Sequence, residues 1–176
     1  SFSFFATASA VSMTGAKPIF VDVNEQTFNI DPAQVEGSIT QKTKAVIGVH
    51  LFGQPFDVPG IQQVCESHNL TLIEDAAQAQ GAMYNGEKTG GFGQFGCFSF
   101  YATKNMTTGE GGMVTTSDKA YNERLRLLIN HGQSEKYLHT RLGYNYRMTD
   151  VAAAIGLVQL KKLEKFNMRR RKNAEY

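Results

Sequence analysis

Four short apolar runs, with helical patterns between most of them, limit what this sequence can fold into. They are Lys44–Val49 (KAVIGV), Thr71–Ile73 (TLI), Gly96–Phe100 (GCFSF) and Gly112–Thr116 (GMVTT). Each has strand length, and KAVIGV is continuous, as expected of a strand buried on both faces. Pro18–Val23 (PIFVDV) also reads as a strand, and the opening SFSFFATASA reads as an aromatic, strand-like run. Helix signals fill the intervals. Asp31-Pro32 puts an N-cap before proline at the first helical position, opening a short helix to about Ile39. Asp57 to His68 carries Val58, Ile61 and Val64 at helical spacing. Asp118 caps a helix through about Ile129. Thr149-Asp150 opens the last helix, with Ile155, Val158, Leu160 and Leu163 along its expected apolar side. The alternation predicts an α/β fold: three layers, with a mostly parallel sheet flanked by helices.

In such sheets ligands gather beyond the carboxyl ends of the strands. Two residues with useful chemistry stand at such ends. Asp75 closes Leu72-Ile73-Glu74-Asp75, and Lys104 follows Phe98-Ser99-Phe100-Tyr101-Ala102-Thr103. A lysine and an aspartate so placed are what pyridoxal phosphate needs. The amine joins the cofactor aldehyde, and the carboxylate keeps the pyridine nitrogen protonated so that the ring accepts electrons from a carbanion. The blander readings are a strand-end acid that caps the following turn and an ordinary surface lysine. The aromatic flanks Phe98, Phe100 and Tyr101 argue against the second. Ser99, five residues before Lys104, is placed to meet the cofactor phosphate or to serve as a plain strand serine.

The remaining features mostly exclude. The 176 residues suffice for one domain with a core. No apolar stretch reaches membrane-span length, so no membrane partner is expected. The net charge of +2 is uneven: residues 161–172 (KKLEKFNMRRRK) hold seven basic side chains and one acid, leaving −4 elsewhere. This segment reads as a solvated helix face with basic residues near a helix end, which the dipole favours, and no nucleic-acid partner is expected. Cys65 and Cys97 are too few for a disulfide scaffold or a zinc site, and they read as reduced core thiols. That favours the cytoplasm. His50, His68, His131 and His139 show no metal spacing. Gly91–Gly96 matches G-x-G-x-x-G, but a polar loop precedes it and a strand follows, so tight turns and close backbone approach explain it better than a dinucleotide does.

The segments VDV, GVHLFGQP, IEDAAQAQGA, GCFSFYATKN, GEGGMVTT, LRLLINHGQSEKY and GYNYRM, in this order, resemble the DegT/DnrJ/EryC1/StrS family of sugar aminotransferases. These have the aspartate-aminotransferase-like fold of type I pyridoxal-phosphate enzymes. The resemblance implies roles. Lys104 matches the lysine that bonds the cofactor, and Asp75 the acid at the pyridine nitrogen. Gln78 matches a residue beside the ring, and Ser99 a phosphate ligand. Asn145 matches an asparagine that reaches the phosphate of a neighbouring subunit, and Phe4 an aromatic stacked on the ring. The family is typically homodimeric, with shared active sites. The implied reaction carries an amino group from an amino acid, usually glutamate, to a keto sugar on a nucleotide. Such chemistry serves amino-sugar, polysaccharide or antibiotic-sugar biosynthesis. Relatives that dehydrate sugars carry histidine in place of the lysine, so Lys104 favours amino transfer. A regulatory module that binds the cofactor without catalysis is a further alternative.

The chain starts at Ser1 and ends at Tyr176 inside patterned stretches, with no helix stop signal at the second. Neither the family's upstream Gly-Thr loop nor its C-terminal small domain is expected within these residues. On this reading, residues 1–176 are the central part of a large cofactor-binding domain, truncated at both ends.

Overall fold

The computed structural model describes residues 2–176. Its helices are α1 (Phe5–Met13), α2 (Pro32–Ser38), α3 (Val58–Ser67), α4 (Lys119–Leu128) and α5 (Asp150–Ala174). Its strands are β1 (Ala45–Val49), β2 (Thr71–Asp75), β3 (Met83–Tyr84), β4 (Glu87–Lys88), β5 (Phe95–Ser99), β6 (Gly112–Thr115), β7 (Gln133–Glu135) and β8 (Leu138–His139). The central sheet has the order β1-β2-β5-β6. Two of its pairings are parallel, and β5–β6 is antiparallel. The mostly parallel sheet expected from sequence is therefore present. The exception follows from the connection: a turn-rich segment without a helix joins β5 to β6, whereas α3 carries the chain back between β1 and β2.

The helix starts fall where the sequence places them. Asp31 accepts from Ala33 N at 2.9 Å, Asp57 from Gly60 N at 3.2 Å, Asp118 from Tyr121 N at 3.0 Å, and Thr149 from Ala152 N at 3.2 Å. Each satisfies a backbone N–H that the first helical turn leaves without a partner.

The main core lies between α2, α3 and one face of the sheet. Val35, Val46, Phe56, Val58, Ile61, Val64, Cys65 and Leu72 are buried there. Alternation puts Val46 and Gly48 of β1 and Leu72 and Glu74 of β2 on this face. Gly48 makes room for Phe56, since a β-carbon there would stand 2.5 Å from Phe56 Cε1. The opposite face, with Ile47, Ile73, Asp75 and Cys97, is half-buried. A second cluster joins Phe100 and Met106 to Leu163 of α5.

Four expectations need correction. The opening aromatic run is not a strand, because α1 begins at Phe5: Ala6, Ala8 and Ala10 favour the helix where the aromatics suggested extension. Pro18–Val23 makes one bridge, Val23 to Ile30, and leaves Ile19 and Phe20 exposed without a strand partner among the described residues. β1 is not buried on both faces; Val46 and Gly48 are buried, whereas Ile47 and Val49 are only half-covered. On α5 only Leu163 is buried, and Ile155, Val158 and Leu160 face outward. Among the described residues, no helix is long and apolar enough to cross a membrane.

Candidate active site at the carboxyl ends of the parallel strands

β1, β2 and β5 run in the same direction, so His50, Asp75 and Ser99 emerge at one edge. The ladder continues one step past the strands. His50 N donates to Asp75 O at 3.0 Å, and Ala76 N donates to Cys97 O at 2.8 Å. This fixes the backbone of Asp75 from both sides. Its side chain is fixed as well. Thr7 Oγ1 donates to Oδ2 at 2.6 Å, and Ala77 N donates to Oδ1 at 3.1 Å. An ionised carboxylate has about four lone-pair positions, so about two remain for a further donor.

Gln78 follows in the turn after β2. Its Oε1 accepts from Phe52 N at 2.7 Å. Phe52 is exposed and left-handed, with φ of 53°. Gln78 thus holds a strained turn beyond β1. At the end of β5, Ser99 Oγ accepts from Tyr101 N at 3.3 Å, and Ser99 O accepts from buried Gln80 Nε2 at 2.5 Å. The chain then turns sharply, with Lys104 N donating to Tyr101 O at 3.0 Å. Half-buried Lys104 therefore sits one turn beyond the strand adjacent to that of Asp75. Phe4 immediately precedes α1, the helix that Thr7 ties to Asp75, and is 74% exposed.

Five of the six residues singled out in the sequence are thus brought to one edge: Phe4, Asp75, Gln78, Ser99 and Lys104. Asn145 is not among them. It is exposed and pairs with Asn130 beside the β7–β8 hairpin, and no described contact links it to Asp75 or Lys104. The five include a paired carboxylate with free lone pairs, an amine on the next strand's turn, a hydroxyl and an aromatic ring. This set fits pyridoxal phosphate.

Beneath the edge lies a network that the sequence reading did not identify. Glu74 and His50 are both 0% exposed. Glu74 Oε2 meets His50 Nε2 at 2.9 Å and Gly90 N at 2.6 Å, and its Oε1 accepts from Phe92 N and Gly93 N, each at 2.7 Å. Burial alone would push the Glu74 carboxyl up. The hydrogen bonds from His50, Gly93 and Gly90, with the charge of His50, outweigh it and hold the group below its ordinary value. His50 stacks on Phe56, ring centroids 4.4 Å apart and 6° from parallel.

This network also accounts for the G-x-G-x-x-G match. Its amides at Phe92 and Gly93 point at the protein's own carboxylate, and no helix follows. A β-carbon at Gly93 would lie 2.6 Å from Leu72 O, and one at Gly96 would lie 2.4 Å from Gly90 Cα, so close approach explains both glycines. The cysteines are free. Cys65 is buried, and Cys97 beside Asp75 is half-covered. Burial pushes both thiols up, helped at Cys97 by the charges of Asp75 and Glu74. Among the described residues, no cluster of His, Cys, Asp and Glu could hold a metal.

Comparison with known proteins gives the same picture. The chain matches the DegT/DnrJ/EryC1/StrS aminotransferase family over residues 1–176. It is 48% identical over 174 residues to a pleiotropic regulatory protein of Geobacillus stearothermophilus, covering 98% of this chain and 47% of the relative. It is 46% identical over 174 residues to a UDP-N-acetyl-3-dehydro-α-D-glucosamine 3-aminotransferase of Acidithiobacillus ferrooxidans, with the same coverage. The chain spans about half the length of the curated relatives it matches. Among solved structures, an aminotransferase from Psychrobacter cryohalolentis superposes with a TM-score of 0.95 at 41% identity, covering 98% of this chain and 47% of that one. A putative sugar aminotransferase from Streptococcus pneumoniae, solved in PMP and PLP forms, superposes at 0.92 with 30% and 31% identity, covering 98% of this chain and 51% and 50% of that one. Pyridoxal phosphate, the cofactor expected from sequence, is thus the family's own. With its whole length matched and its fold shared, the chain belongs to the DegT/DnrJ/EryC1/StrS aminotransferase family.

Proposed function

We propose that this chain carries the cofactor centre of a sugar aminotransferase that uses pyridoxal phosphate. The observation behind this is the placement of Lys104 and Asp75 at the ends of adjacent strands, with Asp75 held at both oxygens and still able to accept more. When bound, the cofactor supplies an electron sink for a carbanion beside the transferred nitrogen. Lys104 Nζ would hold the cofactor through its aldehyde, and the same amine, when free, would serve as the base and acid that moves a proton at the donor's α-carbon. Asp75 would hold the proton on the ring nitrogen, and the paired charge would stabilise electron density drawn into the ring. Ser99 Oγ would bind the phosphate, and Gln78 and Phe4 would flank the ring. Asn145 stands apart from the cluster, which suits a residue that serves the phosphate of a second subunit. The donor is an amino acid, with glutamate first, and the acceptor is a keto sugar on a nucleotide. A homodimer with shared sites follows from the Asn145 role. Residues 1–176 form the central part of the large domain, and the free thiols suit the cytoplasm.

The 48% identity to a pleiotropic regulatory protein favours one second reading: cofactor binding kept for regulation without turnover. One experiment separates the two. The protein is titrated with pyridoxal phosphate, its visible absorption is followed as glutamate is added, and the bound cofactor is then fixed with borohydride and mapped. A band that shifts with glutamate, with the label on Lys104, supports amino transfer. A label on Lys104 without a shift supports the regulatory reading, and a label elsewhere overturns both.

A further inference from the structure

α1 has no fully buried residue, and only Thr7, Ala8, Ser9 and Val11 are half-covered. Its described side-chain hydrogen bonds stay within the first turns of the chain, with one exception. Thr7 Oγ1 donates to Asp75 Oδ2 at 2.6 Å, across 68 residues of sequence. That distance lies in the short range of hydrogen bonds to a charged acceptor. A hydroxyl has one proton, and here it goes to the carboxylate. Ser3 Oγ, 3.3 Å from Thr7 Oγ1, must therefore be the donor into Thr7. Phe4 opens the same turn, its carbonyl accepting from Thr7 N at 3.3 Å.

We propose that Thr7 is a positioning residue of the cofactor site: it sets the plane of the Asp75 carboxylate and fixes Phe4 relative to it. A carboxylate held at one oxygen swings about its Cβ–Cγ bond. Held by Thr7 at Oδ2 and by Ala77 at Oδ1, it does not, and its remaining lone pairs keep one direction. The same bond fixes the start of α1, from which Phe4 projects. One hydroxyl thus coordinates the acid assigned to the ring nitrogen with the aromatic assigned to the ring face. The inference rests on the reading of the site given above.

The test compares Thr7→Val, which keeps the branched shape and loses the hydroxyl, with Thr7→Ser, which keeps the hydroxyl. Three readouts are taken: the dissociation constant for pyridoxal phosphate, the pH dependence of the bound cofactor's visible band, and the melting temperature without cofactor. Thr7→Val should weaken binding by about tenfold or more, as expected for a lost hydrogen bond to a charged group. It should also displace the pH midpoint of the band, while the melting temperature stays close to that of the unaltered protein. Thr7→Ser should restore binding to within about threefold. An unaltered band and affinity in Thr7→Val would overturn the proposal. So would a melting temperature that falls in step with binding in both variants, which would make Thr7 structural only. If the unaltered protein itself binds no pyridoxal phosphate, the functional reading fails and takes this inference with it. If the unaltered protein binds and Thr7→Val behaves identically, only the inference fails.

Discussion

Glu74 and Asp75 are neighbours with opposite situations. Strand alternation sends Glu74 into the core face and Asp75 to the half-covered one. Glu74 has its lone pairs filled by four N–H groups from the protein, whereas Asp75 keeps about two in reserve. The predictions differ accordingly. Lys104→Ala should abolish transamination while leaving the fold intact, and turnover retained in that variant would end the assignment. Asp75→Asn should keep pyridoxal phosphate attached and slow turnover by at least about a hundredfold, since an amide cannot hold the ring-nitrogen proton with a charge; near-normal rates would remove its role. Glu74→Ala should act on stability. It strands three backbone donors and His50 in a dry interior, at a cost on the order of 3–5 kcal/mol, readable by denaturant unfolding. The pH dependence has a fixed sign. The Glu74 carboxyl is held below its ordinary value of 4.5, so its stabilisation is complete above that pH and is lost as pH falls through the lowered value. Melting temperature should therefore fall on acidification below about 4.5, with a shallower fall in Glu74→Gln. Equal acid slopes would show that Glu74 is not the group responsible.

Local chemistry made most elements legible. The caps at Asp31, Asp57, Asp118 and Thr149 could be read because capping depends on residues two or three positions apart. Lys104 and Asp75 could be read because a strand end is itself a local signal. Thr7 could not: nothing in Ala6-Thr7-Ala8 announces a partner as distant as Asp75. The partners of Glu74 were hidden for the same reason, since the glycine loop reaches it only after the strand has paired. At α1 and Pro18–Val23 the aromatic and β-branched content pointed to strands, whereas the first is a helix and the second forms only the Val23–Ile30 bridge among the described residues. The β1 element carries its own prediction. Gly48→Ala would force a β-carbon to 2.5 Å from the Phe56 ring, which is buried in the core and stacked on His50. A loss of about 1–3 kcal/mol is expected, measured as a shift in the denaturant midpoint.

For the whole molecule, the balance of burial is uneven. The core around α3 is closed, yet Val151, Ile155, Leu157 and Val158 of α5 are exposed, as are Tyr144, Tyr146 and Leu142 beside Asn145. The helix read from the sequence is present there, but of the apolar side chains expected to be covered only Leu163 is buried. The proposed pairing of two subunits predicts a dimer in sedimentation equilibrium, with Asn145→Ala weakening cofactor binding. A monomer that binds pyridoxal phosphate normally would remove the shared-site role.

The Glu74 clamp also bears on how the glycine loop moves. Gly90, Phe92 and Gly93 lie outside any strand or helix, and segments of that kind usually trade their amide protons with solvent in moments. Here each of those protons is bonded to a buried carboxylate, so releasing any of them means opening the core itself. In heavy water their amides should keep their protons about as long as those of β2. The stretch has the shape of a loop and the timescale of a strand.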